Sequence, residues 1–399
     1  MVGLNSKSVL GPIRRVVATA QNGLEVVRLG GLETDATTSP FEIVERAAMY
    51  RLRRYFPDSD PETVGAPILL IPPMMMSANV YDVTRDQGAV GILHEMGLDP
   101  WVVDFGSPDS EEGGWDRNLA DHIIALSDIV DHIHRHTGKD VHISGYSQGG
   151  MFAYQAAAYR RSRNIASVIT FGSPVDTLAA LPFGIPAGLA TKGADFLADH
   201  VFNRLAVTGW MARTGFQLLD PVKTLKMRVD FLLQLHDREA LLPREQQRRF
   251  LATEGWVAWS GPAVAELLKQ FIVHNRMMTG GFVIKDQLVS LAEITCPSWH
   301  SSARSTTSAS RKRFEASVKP LRGRRSTNLP CVQAISVWLS VPPRPITPGR
   351  PPVNSYSGPR RVDPSRTVSR TWSTAPTSKT RPVCRSAIGS STPSPRSLK

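Results

Sequence analysis

The stretch Gly145-Tyr146-Ser147-Gln148-Gly149-Gly150 places a serine between glycines at G-x-S-x-G spacing. A serine hydroxyl is a weak nucleophile until a histidine, itself held by a carboxylate, takes its proton. Gly145 and Gly149 would let the backbone fold tightly around a strained Ser147, and Gly150 would let a following helix pack close to a sheet. The N–H of Gln148, at the start of that helix, would face a developing oxyanion. A second donor is expected from the loop after the apolar run at 66–71, with Met74 as the candidate. The motif also occurs in ordinary Gly-rich turns that carry a surface serine, so its setting decides.

A nucleophile of this kind sits on a sharp strand-to-helix turn, and the surrounding sequence predicts one. DVHISGYSQGG reads as a strand entering glycines, and MFAYQAAAY reads as an Ala-rich helix. APILLIPP (66–73), PWVVDFGSPD (100–109) and ASVITFGSP (166–174) are apolar runs closed by Gly or Pro, the pattern of buried parallel strands. Between them Leu119, Ile123, Leu126, Val130 and Ile133 recur at helical spacing. Strands alternating with helices predict a parallel α/β sheet. Residues 177–285 change to long helical patterns rich in aromatics, a helical insertion over the sheet. VSLAEITCP (289–297) reads as the approach to a further strand that the sequence then fails to supply.

The chain has 399 residues and a net charge of +12, but the charge is uneven. Residues 298–399 hold 19 of the 47 Lys and Arg and only two acids, Glu315 and Asp363; residues 1–297 carry 28 basic against 33 acidic side chains. After Pro297 the text is rich in Ser, Arg, Thr and Pro without apolar periodicity, and such a segment cannot bury enough surface to offset its ordering entropy. A disordered tail is expected. Its charge could contact phosphates, but an accidental peptide explains it better, so no nucleic-acid partner is expected. Three scattered cysteines, Cys296, Cys331 and Cys384, form no disulfide framework or zinc pattern. With no secretory signal and no apolar run long enough to cross a bilayer, a cytoplasmic protein is expected.

Several motifs in order carry a family resemblance: IPPMMMSANVYDV, MGLDPWVVDFGSPD, GKDVHISGYSQGG, WVAWSGP, and the span from His274-Asn275 through Gly280-Gly281-Phe282 to Cys296-Pro297. Over about residues 10–297 the chain resembles the polyhydroxyalkanoate synthase-like branch of the α/β-hydrolases. More narrowly it resembles actinobacterial lipase-like domains often fused to a long-chain acyl-CoA synthetase. The resemblance implies an α/β-hydrolase domain over 1–297 with a helical cap at about 177–285, truncated before its last strands and followed by the tail at 298–399. It implies Ser147 chemistry on a long-chain acyl ester or acyl-CoA, lipid surfaces as a further partner, and no cofactor. Polyester synthases carry cysteine in G-x-C-x-G-G, so Ser147 favours a hydrolase or acyltransferase over a polymerase. The enzymatic alternative is a fragment of a bifunctional long-chain acyl-CoA synthetase and lipase whose ligase domain is absent here, because the chain lacks the Gly-, Ser- and Thr-rich phosphate loop of adenylating enzymes and any such activity would lie downstream in the undamaged gene. A lipid-binding remnant is the non-enzymatic alternative.

The proton acceptor is the missing part. In this fold the order is serine, then acid, then histidine, and after Ser147 come only His200, His236, His274 and His300. The first three fall in the helical insertion and His300 opens the tail. Asp176, just past the 166–171 strand, is a possible alternative acid but has no evident histidine partner. The genetic code offers a reason. In the frame left by deleting one nucleotide near Pro297, residues 299–308 permit L-A-F-V-G-E-V-D-D-I, a strand followed by acids. In the same frame Ala334, Ile335, Ser336 and Val337 permit G-H-F-G, a setting for a catalytic histidine. The expectation is a frame change near residue 297 that removed acid and base and left the 166–171 strand as an exposed sheet edge.

Other features read as structural. His132 and His136 lie one helical turn apart, but no carboxylate claims the third position of a metal site, and histidines with Lys139 at a helix C-terminus suit the helix dipole. No metal is expected. Asp104 and Asp109 flank a turn, and Met74, Met75 and Met76 serve either an acyl pocket or the core.

Overall fold

The computed structural model describes residues 6–59, 64–179, 181, 185–218 and 221–301. After a long helix α1 (Ser6–Leu29), the strands β1 (Phe41–Ala47), β2 (Tyr50–Tyr55) and β3 (Pro67–Ile71) lead to helix α2 (Ala89–Glu95). Then follow β4 (Asp99–Asp104), α3 (Leu119–Thr137), β5 (Val141–Tyr146), α4 (Gln148–Tyr159) and β6 (Ile165–Phe171). A cap follows, built from α5 (Ala187–Leu197), α6 (Gly209–Leu218), α7 (Pro221–Leu233), α8 (Arg238–Ala252), α9 (Gly261–Leu267) and α10 (Arg276–Thr279). The hairpin β7 (Phe282–Ile284) and β8 (Gln287–Val289) and a short strand β9 (Ser298–Ser301) complete the described chain.

Among the described residues seven strands form one sheet in the order β1-β2-β4-β3-β5-β6-β9. The β1–β2 and β2–β4 pairs are antiparallel, and every pair from β4 to β9 is parallel. Period-2 geometry sorts the apolar runs onto two faces. Leu69 and Ile71 of β3 join Trp101, Ile143 and the inner sides of α3 and α4 in one core, whereas Ile68 and Leu70 join Val102, Ile169 and α2 in a second. Helix α3 begins with a capping box between Asn118 and Asp121 and ends on Gly138 in the left-handed region, so both its ends are set by sequence.

The α/β architecture is as the sequence predicts, and two expectations are corrected. The sheet does not end at β6: Ser298–Ser301 pair in parallel with Val168–Phe171, and Gly172 N–H donates to the Ser301 carbonyl at 2.9 Å. A strand needs only backbone donors and acceptors at its edge, and the chain leaving Pro297 supplies them without an apolar pattern. His300 accordingly lies in a strand rather than opening a tail, and the sheet runs past the expected boundary at 297. The rest of the expected tail, 302–399, lies outside the described residues.

The sequence reading also missed α1 and the β1–β2 hairpin. Helix α1 is fastened to the start of α8, where Arg238 pairs with Glu25 at 2.5 Å and Asn22 donates to the Leu235 carbonyl at 2.6 Å. No described helix is long and apolar enough to cross a membrane.

Candidate active site

Ser147 occupies the single residue between β5 and α4, at φ 53° and ψ −119°. An L side chain rarely adopts that backbone, and here the surroundings impose it. A Cβ at Gly145 would overlap the Gly149 backbone, and a Cβ at Gly149 would overlap the Ile71 carbonyl. A Cβ at Gly150 would run into the Ser173 hydroxyl. The glycines therefore let strand, turn and helix close on one another and on the end of β3. Ser147 N–H donates to the Phe171 carbonyl at 2.8 Å, which anchors the turn to β6. The Ser147 hydroxyl is half-buried and makes no hydrogen bond to another described residue.

Gln148 and Met74 are brought together, through a side chain. Met74 N–H donates to Gln148 Oε1 at 2.9 Å, so that backbone donor is already taken by the Gln148 side-chain carbonyl. Gln148 Nε2 is buried without a hydrogen-bond partner among the described residues.

A residue the sequence reading passed over joins the two halves of this turn. Tyr81 is buried, its hydroxyl donates to the Ile71 carbonyl at 2.8 Å, and it accepts the Tyr146 N–H at 3.2 Å. Burial pushes this phenol well above its usual pKa, so it remains a donor. No spacing rule singles out Tyr81; only the register of β3 beside β5 gives it its place.

The loop after β3 is also pinned from above. Ser77 N–H donates to the Gly255 carbonyl and Val257 N–H to the Met75 carbonyl, each at 3.0 Å, with Met76 and Trp256 forming a bridge. The WVAWSGP segment of the cap thus braces the loop that carries Met74.

The remaining candidates lie elsewhere. Asp176 Oδ1 accepts the Ala179 N–H at 3.0 Å and the Asn275 side-chain amide at 3.1 Å, tying the turn after β6 to the cap. His200 and His236 lean on the carbonyls of Phe196 and Leu233 at 3.3 and 3.0 Å, and His274 is exposed. His300 pairs with Thr170, and paired residues of adjacent strands share a face. Thr170 shares a hydrogen bond with Tyr154 of α4 at 2.7 Å, so His300 lies on the α4 face; burial lowers its pKa. His132 sits 3.0 Å from Glu45 and stacks on His136. Among the described residues no group of three His, Cys, Asp or Glu is arranged to hold a metal. Asp104 is held below the usual carboxylate range by Arg53 at 2.5 Å, which outweighs its burial.

Residues 88–302 match the alpha/beta hydrolase family. The chain belongs to the α/β-hydrolase family. Within it, similarity extends to the poly(3-hydroxyalkanoate) polymerase subunit PhaC of Allochromatium vinosum, 27% identical over 277 residues and covering 66% of this chain and 73% of that one. The PhaC subunit of a Synechocystis species is 26% identical over 291 residues, covering 69% and 73%. Among solved structures, a monoacylglycerol lipase from Paleococcus ferrophilus aligns with a TM-score of 0.37 at 12% identity over 65% of this chain and 83% of that one. A carboxylesterase from Nitrososphaera gargenis aligns at 0.39 and 13%, over 72% and 90%.

Proposed function

We propose that this α/β-hydrolase is built for serine acyl chemistry on long-chain acyl esters or thioesters, as a hydrolase or acyltransferase, with Ser147 as the nucleophile. The observation that carries the reading is the backbone of Ser147, held at φ 53° and ψ −119° between β5 and α4. That strain lifts the hydroxyl clear of the chain, where an acyl carbon can approach it. In the acylation step Ser147 Oγ bonds to the carbonyl carbon, its proton leaves to a base, and the carbonyl oxygen becomes an anion. The Gln148 N–H and, once the Gln148 side chain turns aside, the Met74 N–H are the donors for that anion. Water or an alcohol then releases the acyl group. Apolar side chains exposed on the cap, among them Trp210, Phe216, Leu225 and Leu232, support a greasy substrate or a lipid surface.

In this reading the acid and base of the triad were lost with a frame change near codon 297, so the chain acylates slowly and turns over poorly. A serine site without its triad partners keeps a residual acceleration of roughly 10³–10⁴ over water from oxyanion and binding contacts. A fluorophosphonate probe tests the elbow: labelling of the full chain that vanishes in Ser147→Ala supports it. Brisk turnover of an acyl ester by the purified chain would overturn the lost-triad half. The second reading, a non-catalytic lipid binder, is favoured by the Gln148 carbonyl already seated on Met74 N–H, and it predicts no labelling at all.

A further inference from the structure

Helix α1 is fastened to the body along one side. Its Asn22 is buried, and Val26 packs against Leu32, Leu235 and Leu241. By helical geometry the other side of α1 carries Val17, Ala20, Leu24 and Val27, which recur three and four residues apart. All four are exposed, Leu24 at 58% and Val27 at 82%. Apolar residues at that spacing ordinarily mark the side a helix buries, yet here they face away from the body.

Helix α7 repeats the arrangement at the same small core. Phe231 packs there, with the Arg248 guanidinium over its ring, while Val222, Leu225, Val229 and Leu232 lie on the other side of the helix and are exposed. The charged residues beside both stripes are mostly cations. Arg14 and Arg28 of α1 and Lys226 of α7 are exposed, and among the described residues none of the three forms an ion pair. Arg228 donates to the neutral Gln217 side chain at 3.3 Å. The acids are few. Glu25, the one acid of α1, is bound by Arg238, and Asp230 is the one acid of α7.

We infer that α1, joined by α7, docks the protein on an anionic lipid surface, with Val17, Leu24 and Val27 set among the acyl chains and Arg14 and Arg28 on the headgroup phosphates. An exposed apolar stripe edged by unpaired cations suits that surface, because the interface buries the alkyl groups while the headgroups supply the missing charge. A second copy of the chain fits less well. Laid along the stripe it brings no acid to Arg14 or Arg28, and in the antiparallel arrangement it sets one against the other. No described helix is long and apolar enough to cross the bilayer, so the contact is with its face. The inference rests on the lipid-facing part of the reading above and not on the chemistry at Ser147.

The test is co-sedimentation of the full chain carrying Ser147→Ala with sucrose-loaded vesicles, so that binding is read apart from turnover. Vesicles of phosphatidylcholine mixed with phosphatidylglycerol are expected to carry the protein down, and vesicles of phosphatidylcholine alone to bind it about tenfold more weakly. Leu24→Ser combined with Val27→Ser removes two exposed apolar side chains and is expected to weaken binding to the anionic vesicles about tenfold. Arg28→Gln is expected to weaken it about fivefold. Should the double variant fail to fold, Arg28→Gln decides. Equal binding to the two vesicles, no binding to either, or variants that bind like the parent would each overturn the inference. So would a lipid-free dimer that the double variant turns into a monomer. Labelling of Ser147 by the fluorophosphonate is a separate measurement, so a failed elbow and a failed anchor give different results.

Discussion

The side-chain carbonyl of Gln148 is hydrogen-bonded to the backbone N–H of Met74, across the turn that carries Ser147. With the oxyanion donors proposed above, the residue whose own N–H is the first covers the second. Replacing that acceptor frees the Met74 N–H. Since a neutral hydrogen bond contributes about 1 kcal/mol, Gln148→Ala is expected to raise the fluorophosphonate labelling rate of Ser147 by about fivefold. Labelling time courses of the two proteins measure it, and a slower variant would show that the amide organises the site instead of covering it.

Strain at the elbow has a stability counterpart. Glycine adopts φ 53°, ψ −119° without steric cost, so Ser147→Gly is expected to raise the free energy of unfolding by about 1 kcal/mol while abolishing labelling. Urea unfolding of the two proteins checks this; a less stable glycine variant would mean that the serine backbone is relaxed.

Two buried groups should oppose each other in acid. Burial holds His122 down at about 4 and lifts Asp82 to about 6. The folded pKa of His122 lies below the unfolded value of about 6.5, so its contribution is lost as pH falls from about 6.5 to about 4. The folded pKa of Asp82 lies above the unfolded value of about 3.9, so its contribution is lost as pH rises from about 4 to about 6. Each slope is about 1.4 kcal/mol per pH unit, and they cancel over the shared range. Asp82→Asn leaves His122 uncompensated, so the variant should gain stability with pH between 4.5 and 6 relative to the parent. Urea unfolding at those two values measures the difference, and parallel curves would contradict it.

The last strand supplies a further test. Among the described residues the β6 edge is covered by β9, with bonds that include Val168 N–H to the Pro297 carbonyl and Gly172 N–H to the Ser301 carbonyl. A chain ended after Pro297 loses the strand paired with β6 and leaves the backbone of Ile169–Gly172 without it, and it should aggregate at concentrations where a chain ended after Ser301 stays monodisperse. Light scattering of the two proteins distinguishes these outcomes.

What could be read in advance follows from how each element is stabilised. Strands β3 to β6 are buried on both faces, so they are written as unbroken apolar runs, and the turn at Ser147 is written in glycines. Strand β2 was missed because Arg51, Arg53 and Arg54 interrupt its pattern; their charges are met by Asp104 and Asp99 on β4, partners that only the folded register brings close. Strand β9 was missed because Ser-Trp-His-Ser has no apolar period to announce it. Gln148 and Met74 were legible as neighbours from the motif and the loop length. The bond between them was not, nor was the strut at Tyr81, because both depend on side-chain directions fixed by packing.

The bridge between Met76 and Trp256 makes the WVAWSGP segment and the loop that carries Met74 one mechanical piece. A swinging segment would have to unzip the Ser77–Gly255 and Val257–Met75 bonds before it could rise, and the Met74 N–H would shift with it. Any movement of one therefore pulls on the other.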